Sequence, residues 1–194
     1  PSRGLGDVYK RQAVNDEMRA SMIDAAHAEV EELSVLVAEI VDLATDRYEE
    51  EPITEVTMSE VIAQVVERLR RRNGRLVEVA CDETIVRGRR EALERAVTNI
   101  VANADAWSPD DAVIGIEMDA GTFTVTDEGP GLADADLPHV FERFYRSDQA
   151  RTRAGSGLGL SIVEQIVVDH GGTVFARNRT DGPGAAVGFT LPTS

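Results

Sequence analysis

The sequence predicts an α+β fold, a mixed sheet with helices on one face, preceded by one long helix. Three observations predict it. An early stretch carries apolar side chains at helical spacing. From Ile53 onward, short apolar runs of strand length alternate with further amphipathic helical stretches. Among them lies an irregular run from Asp127 to Ser156, a length that inside a compact domain marks a functional loop.

Residues 1–12 show no periodicity and differ in charge from the acidic stretch after them, so they are read as a foreign or junction segment. Next, Ile23, Ala26, Val30, Leu33, Val37, Ile40 and Ala44 recur at intervals of three and four. That heptad seam marks residues 13–48 as one helix requiring a partner, from another chain or another helix, and left uncovered it predicts self-association. Glu49-Glu-Glu-Pro52 ends it, because proline drives the preceding residue out of the helical region. The second domain is therefore 49–194.

Ile53 to Thr57 reads as a short strand, and Ser59 as the cap of a helix running to Arg72, stopped by Asn73-Gly74. Leu76 to Val79 and Thr84 to Val86 read as two strands joined by the turn Asp82-Glu83. Arg89 to Trp107 is the next helix, with Leu93, Ala96, Val97, Ile100, Val101 and Ala104 on its apolar side. Ala112 to Met118 and Thr122 to Thr126 form a hairpin about Asp119-Ala-Gly121. After the irregular run, a helix from Gly157 to His170 ends at Gly171-Gly172. Strands near Val174 to Ala176 and Ala186 to Leu191 follow.

Charge narrows the range of functions. The formal net charge is -15, and fourteen Asp or Glu stand against two Arg between Ala13 and Val66. Such an acidic half repels phosphate backbones and anionic lipid, so neither nucleic acid nor a membrane surface is its expected partner. No run approaches the roughly twenty apolar residues of a membrane span, and nothing resembles a signal peptide. Cys81 is the single cysteine. It sits in an apolar stretch and is read as a small buried hydrophobe, which excludes a disulfide framework and fits a reducing compartment.

Four blocks carry the chemistry. Asn99 and Asn103 lie four apart on a helix, so both carboxamides project from one stripe. A carboxamide oxygen can bind a hard cation, and its amide hydrogens can reach phosphate oxygens. Asp127 ends an apolar strand before Gly129-Pro130-Gly131, where glycines admit a planar ligand and a carboxylate can accept from an exocyclic amine. Phe141-Glu-Arg-Phe-Tyr-Arg146 places Arg143 and Arg146 beside Phe141, Phe144 and Tyr145; the aromatics pin the loop to the core, or the arginines face phosphates. Gly155-Ser-Gly-Leu-Gly159 leads into a helix, where free N–H groups and the positive helix end make an anion site. No strand precedes it as a dinucleotide fingerprint requires, and no Gly-Lys-Ser/Thr phosphate loop occurs. Each block alone is common in unrelated proteins; the order is not.

That order resembles the N, G1, F and G2 boxes of sensor histidine kinases, members of the GHKL ATPases, and the resemblance covers residues from Ile53 to Pro192. It implies a Bergerat-type α/β sandwich, ATP with Mg²⁺, and phosphoryl transfer to histidine. By match, Asn103 binds Mg²⁺ and Asn99 supports the phosphate side. Asp127 reads the adenine amine, with Gly129 and Gly131 shaping the pocket. Arg146 approaches the γ-phosphate beside Tyr145. Gly155, Gly157, Leu158, Gly159 and Leu160 hold the phosphates beneath a lid spanning Leu132 to Ala154. The early helix resembles the second helix of the family's dimerisation bundle. The implied partners are a histidine-bearing bundle of the parent protein, a homodimer in that parent, and a response regulator. The implied location is cytoplasmic, on a parent anchored in the membrane.

Two departures bear on function. Ala106 stands where the N box usually has a lysine, and Asp105 adds an anion beside it. The lost pairing costs on the order of 1–3 kcal/mol, predicting weaker or slower ATP use. The family's phosphoacceptor box is absent: His27 is followed by Ala-Glu-Val without proline and lies 72 residues before Asn99. It reads as a helix-flank histidine, so this chain alone is not expected to phosphorylate itself. His139 falls in the lid, and His170 at a helix end where its charge suits the dipole. The alternatives are an ATP-binding regulatory module without turnover and an anti-sigma-type serine kinase; the F box and heptad helix disfavour the latter.

Overall fold

The computed structural model describes Met22, residues 51–147, Ala150 and residues 155–193. All but Met22 belong to the second of the chain's two compact units, Thr45–Ser194. Met22 is helical. The rest of the expected early helix with its seam and His27, residues 1–12, and lid residues 148, 149 and 151–154 lie outside the described residues.

Strand β1 (Thr54–Thr57) runs directly into helix α1 (Met58–Asn73), which buries Met58, Val61, Ile62, Val65, Val66 and Leu69 on one face. Ser59 is not the cap. The cap lies two residues earlier, at an extended Thr57 whose side chain makes no capping bond, and the helix begins at Met58. The cause is tertiary: Met58 is fully buried, and its N–H donates to Thr84 O at 3.0 Å. The far end agrees with the sequence, with Gly74 at φ 68° returning its N–H to Arg70 O.

Strands β2 (Val77–Cys81) and β3 (Ile85–Gly88) flank the Asp82-Glu83 turn but do not pair with each other. β3 lies antiparallel to β1 in a separate ribbon, whereas β2 lies parallel to β4 (Ile114–Asp119), Val79 opposite Ile116. The Asp82 carboxylate separates them: it accepts from Thr84 N–H at 3.0 Å and from Ala120 N–H at 2.8 Å. The chain is thereby fastened to the far turn and leaves the sheet. Cys81, at the end of this edge strand, is half-buried rather than enclosed, and partial burial pushes its thiol pKa up.

Helix α2 (Arg90–Trp107) buries the predicted apolar stripe. Hairpin β4–β5 (β5, Thr122–Thr126) turns through Ala120 and Gly121, both at positive φ, the geometry that matches strand twist in a two-residue turn. Helix α3 (Gly159–Asp169) and strands β6 (Thr173–Asn178) and β7 (Ala185–Thr190) complete the order β2-β4-β5-β7-β6. Along β4, buried Ile114, Ile116 and Met118 alternate with outward residues, so one face carries the core. α1, α2 and α3 pack there, over β2, β5 and β6 respectively. Phe123 and Phe189 meet in its middle with ring centroids 5.0 Å apart. No helix among the described residues is long and apolar enough to cross a membrane.

Candidate nucleotide-binding cleft

A cleft of about 420 Å³ opens beside the end of β5. Asn103 and Trp107 of α2, Asp127, Gly131, Leu132, Asp136, Tyr145, Arg146, and Leu160 of α3 line it. One wall is α2, the floor is the β5–β7 pair, and the irregular run forms the rim.

Asp127 is 4% exposed. Its Oδ1 accepts from Gly129 N–H at 2.8 Å and from Ala185 N–H at 3.2 Å. Its carbonyl accepts from Arg179 Nη1 at 3.3 Å. Burial raises the carboxyl pKa, opposed by the two backbone donors and by Arg179. With Oδ1 engaged twice, Oδ2 is the oxygen left to a ligand donor. Two glycines are obligatory at this floor. A Cβ on Gly129 would stand 2.8 Å from Trp107 O, and one on Gly184, at φ 110°, 1.9 Å from Asp127 O.

Asn99 and Asn103 sit one turn apart on α2, but only Asn103 lines the cleft. Asn99 Nδ2 donates to Gly159 O at 3.1 Å, tying α2 to the first turn of α3. Gly129, Gly155, Gly157, Leu158 and Gly159 also stand outside the lining. Leu158 is fully buried and seats the start of α3 in the core. Phe144 N–H donates to Gly157 O at 3.1 Å, so the aromatic block and the glycine turn are adjoining, as sequence order alone could not specify. Tyr145 donates to Asp136 Oδ1 at 2.7 Å, and its ring lies 5.5 Å from that of His139. Arg146 Nη2 donates to Ala150 O. Phe144 does not pin the loop: it is 61% exposed, in the left-handed region at φ 62°. Arg143 is exposed and outside the lining.

Two expectations are overturned. Asp105 does not add charge to the phosphate side. It lies two residues beyond Asn103, about 200° around the helix, and turns into the protein. There it accepts from Arg75 Nε at 2.6 Å, Arg72 Nη2 at 2.7 Å and Asn73 Nδ2 at 2.9 Å. Ala106 itself is exposed. His170 is not a cation on the helix dipole. Its Nε2 accepts from Arg89 N–H at 2.9 Å while Nδ1 faces Ile166 O at 2.6 Å, so the ring is a neutral bridge between the start of α2 and the end of α3.

Sequence reasoning missed Trp107, Asp136, Asn178 and Arg179. Trp107 continues the stripe of Asn99 and Asn103 by one further turn and was open to detection. Asn178 and Arg179 reach the site only through the pairing of β6 with β7.

The sandwich and its cleft define a Bergerat-type ATPase domain. Residues 88–194 match the family described as histidine kinase-, DNA gyrase B-, and HSP90-like ATPase. The solved structure of the mycobacterial sensor histidine kinase MprB is 38% identical, with a TM-score of 0.66, and the match covers 73% of this chain and 98% of that one. Full-length ShkA in complex with AMPPNP is 25% identical with a TM-score of 0.68, over 84% of this chain and 36% of that one. The signal transduction histidine-protein kinase/phosphatase MprB of Mycolicibacterium vanbaalenii is 40% identical over 185 residues, covering 91% of this chain and 37% of its own length. This chain therefore belongs to the histidine kinase-, gyrase- and HSP90-like ATPase family, and within it resembles the catalytic domain of sensor histidine kinases. It spans less than two-fifths of the curated relative's length. Family membership carries nucleotide use with it.

Proposed function

We propose that this domain binds ATP with Mg²⁺ and transfers the γ-phosphoryl group to a histidine on a dimerisation bundle, as the catalytic part of a bacterial sensor histidine kinase. The observation that carries this reading is Asp127, a buried carboxylate fixed by two backbone N–H groups at the floor of a cleft bounded by Asn103 and Arg146. The likeness to a protein bound to AMPPNP supports it.

In this reading Asp127 Oδ2 accepts from the adenine amine, and the absence of a side chain at Gly129 lets its loop pack against Trp107 O and Asp127 Oδ1, which holds that carboxylate in place. Arg146 faces the γ-phosphate. Asn99 orders the start of α3 through Gly159, so that the turn from Gly155 to Gly157 stands at the phosphate side, and Leu158 N–H holds that turn by donating to Ser156 Oγ at 3.1 Å. Leu160 adds apolar contact. Asn103 offers one carboxamide oxygen, a donor set that suits Mg²⁺, which keeps waters and phosphate oxygens as its other ligands. Held by Asn103, Mg²⁺ would supply neutralisation of phosphate charge. Catalysis is then positioning and charge neutralisation for in-line attack by the histidine nitrogen.

We assign residues 13–48 to part of that bundle and 49–194 to the catalytic domain. The parent would be a homodimer anchored in the membrane, with this part in the cytoplasm and a response regulator as downstream partner. Calorimetric titration of Mg-ATP into this chain and into Asp127→Ala tests the binding half. Binding lost in the variant supports the reading; no binding by either overturns it. Transfer is tested by acid-labile phosphate on a supplied histidine-bearing bundle. Ala106, at the place of the usual lysine, favours the second reading, an ATP-holding regulatory module. Tight binding without transfer would select it.

A further inference from the structure

Asn178 closes strand β6 with an unusual pair of bonds. Leu132 N–H donates to its Oδ1 at 2.7 Å, and its Nδ2 donates to Leu132 O at 2.8 Å. A neighbouring strand would supply such a pair from its backbone; here one carboxamide takes the place of that backbone. Leu132 lines the cleft. Gly131 before it is at φ 77° and packs so closely that an added Cβ would lie 2.9 Å from Asn178 Oδ1. The next residue, Arg179, donates from Nη1 to the Asp127 carbonyl, and its N–H donates to Gly184 O at 3.0 Å. The tip of the β6–β7 hairpin thus grips the Asp127–Leu132 loop at both ends.

The two grips are chemically separate. Asp127 takes its bonds from the N–H groups of Gly129 and Ala185, and neither bond involves the Asn178 side chain. Leu132 has both peptide groups committed to Asn178. Without them the wall opposite the floor loses its fixed height, although the carboxylate that reads the ligand stays in place.

We propose that Asn178 is a positioning residue of the cleft, setting where the Gly131–Leu132 wall stands over a nucleotide base held by Asp127. It touches no ligand and acts through Leu132. The inference rests on the nucleotide reading of the cleft.

The test compares wild type with Asn178→Ala by two measurements: Mg-ATP titration, followed by calorimetry or by the fluorescence of Trp107, the single tryptophan, and amide hydrogen exchange at Leu132, Gly129 and Ala185. Two net hydrogen bonds correspond to about a tenfold effect. The variant should bind Mg-ATP about tenfold more weakly and exchange the Leu132 amide at least about tenfold faster, with Gly129 and Ala185 still protected. Unchanged affinity or unchanged Leu132 exchange overturns the role. If the alanine variant loosens the whole hairpin, so that Ala185 exchanges too, Asn178→Asp decides. It keeps the acceptor for Leu132 N–H and loses the donor to Leu132 O. An affinity between wild type and alanine supports the role, and wild-type affinity overturns it. A wild-type chain that fails to bind Mg-ATP overturns the nucleotide reading as well, whereas wild-type binding matched by the variant overturns the positioning role alone.

Discussion

Arg75 and Asp105 form an ion pair buried on both sides, Nε to Oδ1 2.6 Å, with side chains 5% and 8% exposed. Arg75 also donates to the backbone carbonyls of Asp105 and Pro109. One guanidinium thereby joins the segment after α1 to the last turn of α2, just beyond Asn103. Asp105→Ala would leave that cation buried without its carboxylate. It should lower stability by about 3–5 kcal/mol, the range for breaking a buried pair from one side. Denaturant titration of both chains measures this, and a loss below about 1 kcal/mol would show that Arg75 does not depend on the Asp105 carboxylate.

Asp127 sets a pH signature. Burial, the largest influence, raises its carboxyl pKa in the folded state above the ordinary 3.8. The fold therefore favours the protonated acid, and that contribution is complete below the ordinary value and lost as pH rises through the raised one. Asparagine carries no charge at any pH and can keep both backbone bonds through its oxygen. Asp127→Asn should gain stability relative to wild type as pH climbs from below 3.8 to neutrality, while its Mg-ATP affinity falls at least about tenfold. Thermal denaturation of both chains across that range reads the first effect; a difference that does not vary with pH would refute it.

Ala106 is exposed three residues after Asn103, so a lysine placed there needs no repacking. Ala106→Lys should strengthen Mg-ATP binding by about threefold to tenfold, since a cation near phosphate contributes on the order of 1 kcal/mol at an exposed site. Isothermal titration at two ionic strengths measures it. An equal affinity in the two chains would mean that this stretch of α2 does not face the triphosphate.

Ser108 caps the end of α2 with a buried Oγ that has no hydrogen-bond partner among the described residues. Leaving a hydroxyl unsatisfied costs about 1–3 kcal/mol. Ser108→Ala should therefore raise the melting temperature, and a lower one would show that the hydroxyl is satisfied in solution.

Local signals reveal what is local. The apolar stripe of α2, the Gly74 stop and the tight turn at Ala120-Gly121 each arise from residues adjacent in sequence. So does the order of polar and glycine blocks around Asp127. What the sequence conceals is pairing over distance. Nothing near Val77 says that its strand lies parallel to Ile114, nor near Ser59 that Thr84 O captures the helix two residues early. Asp105 was misplaced because proximity to Asn103 in sequence is opposition on a helix. Asn178 was invisible because an asparagine at a strand end is locally an ordinary turn residue.

β7 lies inside the sheet, between β5 and β6, although it is the last strand in order along the described residues. Asp127 takes one of its two backbone donors from Ala185, 58 residues later. During synthesis on the ribosome, the helix bearing Asn103 and the strand ending at Asp127 emerge long before the residue that seats the carboxylate. A nascent chain halted before Ala185 would have most of its core but no finished floor to the cleft. Ligand competence should then arrive late and abruptly, with the release of β7, and no copy halted before it would compete for nucleotide.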